Sequence, residues 1–402
     1  MSAPRPTPSR AIAFAQSLAA GIVMGLACGA GSAAFLLVLD RATRFREAHE
    51  RIVYALPLAG LVIGAAYQRW GHSVRRGSDL VVDAMRNHDL RIPKRMAPMV
   101  LAGTIATHFF GGSAGREGTA VQMGASMADA IATRVGISGA ARKPWIVAGV
   151  AGGFGSVFGT PLAGALFGIE VGGLRRAEYI ALAPALIAAL LGDWVTRHLG
   201  VTHTSYPALA PFALGPLSVG KLCVIGVVMG LTATTFVEAT HRAKHWLEAR
   251  VSHLGLRMFL GGAIIVALWK LVGTSDYLGL SIPLLVRAFS DPTLWAWAFA
   301  AKLVFTSVTL GTGFLGGEVT PLFVIGATLG SVMARLMGLP IALGAGAGIA
   351  AVFGAAANTP LALSLMAVEL LGVSALVPVT LVTVVAFFAS GKSALYPSQR
   401  RA

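Results

Sequence analysis

The sequence predicts an all-α polytopic integral membrane protein made of two related halves that contain discontinuous helices. Three observations predict it: a composition too apolar for water, uncharged runs of membrane-spanning length, and a segment that recurs 199 residues downstream.

Hydrophobic residues make up 55% of the 402-residue chain and charged residues 12%. Mean hydropathy is +0.74. A soluble domain carries about 25% charged residues, so the bilayer is the solvent this chain is built for. The 49 glycines agree, because membrane helices use small residues to bring backbones together where lipid gives them no hydrophobic reason to meet. Residues 11–39, 145–169, 336–368 and 370–391 contain no Asp, Glu, Lys or Arg. A spanning helix needs about 20 such residues. The runs 11–39 and 336–368 exceed that, which predicts tilted helices or two segments joined by a tight turn. The runs 319–334 and 258–269 are too short to cross comfortably, and short interrupted segments predict helices that end inside the membrane.

Net charge is +15, yet no nucleic-acid-binding motif accompanies it. The basic residues are read as short loops between apolar runs: 41–51, 75–76, 86–95, 175–176 and 241–250. Arg5, Arg10, Arg400 and Arg401 make both termini basic. Basic segments stay cytoplasmic, so both termini are expected inside, with the protein multi-pass in the cell's inner (plasma) membrane. Cys28 and Cys223 lie within apolar runs and read as buried free thiols; no zinc spacing exists, and neither a metal nor a cofactor is expected. The first apolar run is too long for a signal-peptide core.

Residues 148–170 align without a gap against 347–369. Eleven of the 23 positions are identical, including Phe154/Phe353, Thr160-Pro161/Thr359-Pro360 and Glu170/Glu369. Upstream, Gly115–Gly124 aligns with Gly317–Gly326, although a register shifted by one would pair Glu117 with Glu318 and Thr119 with Thr320. Two such halves with interrupted helices point to a transporter whose substrate sits near the midplane, where half-helix N-termini turn partial positive charge and free N–H groups toward an anion. Composition leaves inverted and parallel repeats both open.

Specific motifs then narrow the reading. Gly115-Arg116-Glu117-Gly118-Thr119 resembles the GREGP sequence of the chloride-channel/antiporter (CLC) family. Residues 302–323 resemble its second ion-binding loop, residues 391–396 its last helix with a central-site tyrosine, and Gly77-Ser78-Asp79-Leu80 stands where the family has GSGIP. These motifs fall in family order across residues 15–397. The resemblance implies a single transmembrane domain over 1–402 with the CLC fold, inverted-topology repeats of about 11–205 and 213–397, no cytoplasmic nucleotide-binding domain, and a homodimer. Two departures are similar to the fluoride-exporting branch. Thr119 stands where chloride-type members have proline, and Gly317-Glu318-Val319-Thr320-Pro321 stands where they have G-x-F-x-P. Chloride/proton antiporters also carry an inner relay glutamate just after the position of Glu170; here that residue is Val171. Ser78, by contrast, is as in chloride-type members.

The resemblance makes Glu117 the gate and proton carrier, consistent with the cost of an acid in an apolar segment. A salt bridge to Arg116 competes, though adjacent helical residues face each other poorly. Ser78, Gly115, Arg116, Gly118, Thr119, Glu318, Val319, Thr320, Phe323 and Tyr396 complete the expected ion site. Glu318 has no basic residue near it in sequence, and as a neutral acid it would donate a hydrogen bond to fluoride. The bland alternatives are a helix cap for Ser78, a bond back to its own helix for Thr320, packing for Phe323 and an interfacial anchor for Tyr396. Lys302 is read as raising the anion potential in a vestibule or as snorkelling. Glu170 and Glu369, present in both repeats, read as structural, and His108 as a packed, hydrogen-bonded histidine. The expected function is fluoride/proton antiport in the bilayer, with a chloride or other halide channel or antiporter of the same family as the alternative. An enzyme would need a metal cluster or a nucleophile–base pair, and the 17 acids are too dispersed to form one.

Overall fold

The computed structural model describes residues 10–87, 89–173 and 181–399, with side chains from residue 15 onward. The basic side chains of Arg5, Arg10, Arg400 and Arg401 and the Arg175–Arg176 loop lie outside the described residues. Within them the chain is helical, and the only pairing between extended segments is a bridge of Gly115 with Gly317.

The first half contains α1 (Arg10–Ala48), α2 (Leu56–Trp70), α3 (Ser78–Arg86), α4 (Met96–Phe109), α5 (Glu117–Arg134), α6 (Lys143–Phe158), α7 (Pro161–Glu170) and α8 (Leu182–His198). The second contains α9 (Pro216–Arg250), α10 (Leu254–Val272), α11 (Ile282–Arg287), α12 (Ala298–Gly311), α13 (Val319–Met337), α14 (Ile341–Ala356), α15 (Pro360–Leu371) and α16 (Leu376–Ala389). The long run 11–39 is one helix, α1. The runs 145–169 and 336–368 are each two, broken before Pro161 and Pro360, which lack the N–H a continuing helix needs and preset the first turn of the next.

Two sequence expectations need correction. The runs 258–269 and 319–334 lie in α10 and α13, each 19 residues and so longer than the uncharged stretches, although α13 still begins inside the protein, with Val319 and Thr320 buried. Their helices extend over charged flanks (Arg257 and Lys270 in α10, Arg335 in α13) that a search for uncharged runs cuts away. The basic segments 41–51 and 241–250 are mostly not loops either: α1 continues to Ala48 and α9 to Arg250.

Contacts between equivalent residues fix the relation of the halves. The Glu170 carboxylate, at the end of α7, accepts from the Leu361 and Ala362 N–H groups at the start of α15 (3.1 and 2.7 Å). Glu369, near the end of α15, accepts from Leu162 and Ala163 at the start of α7 (2.9 and 2.8 Å). Each acid satisfies N–H groups that its partner helix leaves open, and each lies at the end of one helix and the start of the other. α7 and α15 are therefore antiparallel neighbours, and the repeats are inverted. Glu170 and Glu369 are capping residues. Close helix crossings repeat as well: a Cβ on Gly124 would lie 2.1 Å from Gly149 O, and one on Gly326 2.1 Å from Gly348 O.

Candidate functional site

α5 and α13 begin against one another. The Gly115 N–H donates to Gly317 O at 2.6 Å and the Gly317 N–H donates to Gly115 O at 2.8 Å. No side chain fits there: a Cβ on Gly115 would meet Gly317 O at 2.9 Å, and one on Gly317 would meet Gly118 N at 2.7 Å. The bridge decides the register that the sequence left open. Gly115 pairs with Gly317, α5 starts at Glu117 and α13 at Val319, so Arg116 corresponds to Glu318.

Glu117 is 1% exposed. Its Oε2 accepts from the Thr320 hydroxyl at 2.5 Å, the Thr320 N–H at 3.2 Å and the Arg116 N–H at 3.1 Å. The residue that opens one half-helix thus places its carboxylate on the N-terminus of the other, where backbone donors and the helix dipole favour an anion. Arg116 Nε lies 3.5 Å from Glu117 Oε1. The argument against this pair assumes two helical residues; Arg116 is the cap residue, so its side chain is not bound by helical spacing. The contact is still not a hydrogen bond.

Two larger cavities flank this point. One, of about 410 Å³, is lined by Arg46, Glu47, Glu50, Arg116 and Asp276 among others. The second, of about 320 Å³, is lined by Ser78, Thr104, Thr119, Gln122, Lys244, Arg257, Glu318 and Tyr396 among others. Glu117 and Thr320 line neither. With Arg116, Phe158, Tyr206 and Phe323 they surround a gap of about 10 Å³, room for one water at most. Phe323 is fully buried, its ring 5.2 Å from Phe158 and 5.9 Å from Phe353.

In the second cavity, Ser78, Gly118 and Glu318 converge: a Cβ on Gly118 would lie 3.5 Å from Glu318 Oε2 and 3.8 Å from Ser78 Oγ. Glu318 Oε2 is buried with no hydrogen-bond partner among the described residues, while Lys244, absent from its sequence neighbourhood, lines the same cavity. Ser78 is the first helical residue of α3 and makes no cap bond. Its Oγ accepts from Gln122 Nε2 at 3.0 Å, and Tyr396 lines the same cavity. Tyr396 is 5% exposed, so it is no interfacial anchor. The Thr119 hydroxyl bonds that of Thr104 at 2.7 Å. Val319 opens α13 and is buried.

Gln122 and Thr104 escaped the sequence reading. Each is a polar residue in an apolar membrane helix, the signal that could have found them. Lys302 fits neither expected role. It is fully buried, donating to Ser113 Oγ (2.9 Å), Ser281 Oγ (2.8 Å) and the carbonyls of Gly279 (2.9 Å) and Tyr277 (3.3 Å), so it ties α12 to two loops. His108 is packed as expected, its ring nitrogens against the carbonyls of Thr104 and Ala114.

Comparison with known proteins agrees with this arrangement. The family model described as voltage gated chloride channel matches residues 59–391. A "Chloride/fluoride channel protein" of Pseudomonas syringae pv. tomato is 43% identical over 393 residues, covering 96% of this chain and 87% of that protein. Among solved structures, a CLC-type fluoride/proton antiporter superposes with a TM-score of 0.93 at 34% identity, over 99% of this chain and all of that one. A slow cyanobacterial Cl⁻/H⁺ antiporter shares the fold, with a TM-score of 0.82 at 20% identity over 95% of this chain and 96% of the other.

Proposed function

This chain belongs to the voltage gated chloride channel (CLC) family, and we propose that within it the protein is a fluoride/proton antiporter with Glu117 as gate and proton carrier. The observation that carries the reading is the Glu117 carboxylate on the N-terminus of α13, held by the Thr320 hydroxyl and N–H. An ionised carboxylate fills a position built for an anion. Protonation removes its charge and frees those donors for fluoride. One group then blocks the path and carries the proton, which links the two fluxes.

Fluoride is small and strongly hydrated, so its path must replace many water hydrogen bonds. The Thr320 hydroxyl, the N–H groups of α13, Ser78, Tyr396 and, when protonated, Glu318 are the donors on hand. The second cavity is lined by Arg75, Arg76, Lys244 and Arg257 among others, and basic segments stay cytoplasmic. That face is the cytoplasmic one in this proposal, and Leu395, Tyr396 and Pro397 line the cavity there. Cytoplasmic fluoride then enters past Ser78 and Tyr396, and protons move inward from the cavity bearing Arg116. The protein works as a homodimer in the inner membrane.

A chloride-moving reading has one observation in its favour, the hydroxyl of Ser78 facing the cavity. Efflux from liposomes holding purified protein separates the two. Fluoride efflux that draws protons inward, and outpaces chloride, is expected; chloride efflux as fast as fluoride would overturn the proposal.

A further inference from the structure

Asp79, in the first turn of α3, is the residue of the 77–80 motif that the ion path leaves unexplained. It directly follows Ser78, and the C-terminal segment runs past it. Asp79 Oδ1 accepts from the Ser398 N–H at 3.0 Å and the Ser398 hydroxyl at 2.5 Å. Its Oδ2 accepts from Arg76 Nη2 at 2.8 Å. The Ser398 carbonyl in turn accepts from Arg86 Nη1, and Arg86 Nε donates to Gly172 O at 2.9 Å. Gln399 Nε2 donates to Val171 O at 2.7 Å. Upstream, the Leu395 N–H donates to Ala356 O at 2.8 Å. The tail is thus fixed on both sides of Tyr396, and on one side it is fixed to the residue next to Ser78.

We propose that Asp79 and Ser398 form a clamp that sets the separation of the Ser78 and Tyr396 hydroxyls, and through it the preference of the second cavity for a small halide over a larger one. Ser78 lies one residue before Asp79, and Tyr396 two before Ser398, so the clamp closes a short ring through the two hydroxyl-bearing residues. Donors held at fixed spacing favour the ion they fit, because no ordering remains to be done on binding. Donors on a loosened tail adapt to a larger ion. Asp79 and Ser398 are positioning residues, acting through Tyr396. The inference rests on the fluoride reading above.

The test measures fluoride and chloride efflux from liposomes containing full-length protein. Asp79→Ala should lower the fluoride-to-chloride rate ratio about tenfold, the lower bound for losing hydrogen bonds to a charged group. Ser398→Thr keeps both donors and should keep the parental ratio. In a Tyr396→Phe background, Asp79→Ala should change the ratio by less than about twofold, because the two act as a unit. A purely structural role for Asp79 predicts something else: both rates fall together, the ratio stands, and the effect of Asp79→Ala persists undiminished beside Tyr396→Phe. Either result overturns the clamp. Should Asp79→Ala fail to reconstitute as folded protein, Ser398→Ala carries the same test from the other side, since it removes the hydroxyl donor to Asp79 Oδ1 and leaves the carboxylate its Arg76 partner. A parent that moves chloride as fast as fluoride overturns the antiporter reading instead, and the clamp is then judged by whether Asp79 and Tyr396 are coupled in chloride flux.

Discussion

Replacing Glu117 with glutamine tests the gate most directly. The carboxylate accepts three hydrogen bonds, two from Thr320 and one from the Arg116 N–H. A bond to a charged group contributes about 1.5–3 kcal/mol and one between neutral groups about 0.5–1.5. Each bond therefore weakens by about 1 kcal/mol in Glu117→Gln. The favourable term between a negative charge and the α13 N-terminus, about 0.3–1 kcal/mol, is lost as well. The glutamine should thus hold the site about 3.5 kcal/mol less tightly, and a halide competing for it should bind about three hundredfold better. Glutamine also cannot release or accept the proton, and Val171 leaves no second acid at the inner relay position. Two assays follow, halide binding by calorimetry and proton uptake into fluoride-loaded liposomes, each with parent protein alongside. Tighter binding with proton uptake at the protein-free baseline is expected. Uptake at the parental rate would refute the gate assignment, and unchanged halide affinity would refute the competition on which it rests.

Thr320→Ala removes the donor 2.5 Å from Glu117 and should slow fluoride flux about tenfold or more while slowing chloride less; parallel flux measurements check it, and equal transport by mutant and parent would remove Thr320 from the path. Glu318→Ala should impair fluoride flux while leaving the thermal transition within a few degrees, because the lost Oε2 has no hydrogen-bond partner to strand. Normal flux would make Glu318 structural. The protein should run as a dimer by mass photometry in detergent: Leu162 and Leu361, repeated at the starts of α7 and α15, are 44% and 47% exposed, and only monomers at every concentration would refute it.

Much of the architecture was legible because the bilayer imposes a strong pattern. Uncharged runs marked the apolar segments and the shared Thr-Pro-Leu-Ala and Glu marked the repeat, while the breaks before Pro161 and Pro360 came from the structure. The pattern misled where charge and helix coexist. Arg257, Lys270 and Arg335 lie on helices, so helix length ran past the uncharged stretch, and the cations at 41–46 and 241–250 continue α1 and α9. Partners distant in sequence were invisible. Nothing local tells that Lys302 is surrounded by four oxygens from two loops, or that Asp79 meets Ser398, 319 residues away. Inversion of the repeats, which composition left open and only the family resemblance implied, is seen directly in Glu170 and Glu369 capping each other's helices.

The inverted symmetry explains how one chain builds an asymmetric path. Gly115 and Gly317 pair across the pseudo-two-fold, and each is followed by a half-helix with open N–H groups. Two identical positive ends would offer an anion the same welcome from both sides and no way to couple it to anything. The residues at equivalent places break the tie. Arg116 answers to Glu318, Glu117 to Val319, and Gly118 to Thr320. The α5 end therefore supplies a carboxylate and a cation, and the α13 end supplies the hydroxyl and N–H groups that hold that carboxylate. Gly118, without a side chain, lets Gly317 of the other repeat approach: a Cβ there would lie 3.0 Å from Gly317 Cα. The carboxylate and the donors that hold it thus come from one duplicated element, and the residues at equivalent places beside the crossing differ between the two copies.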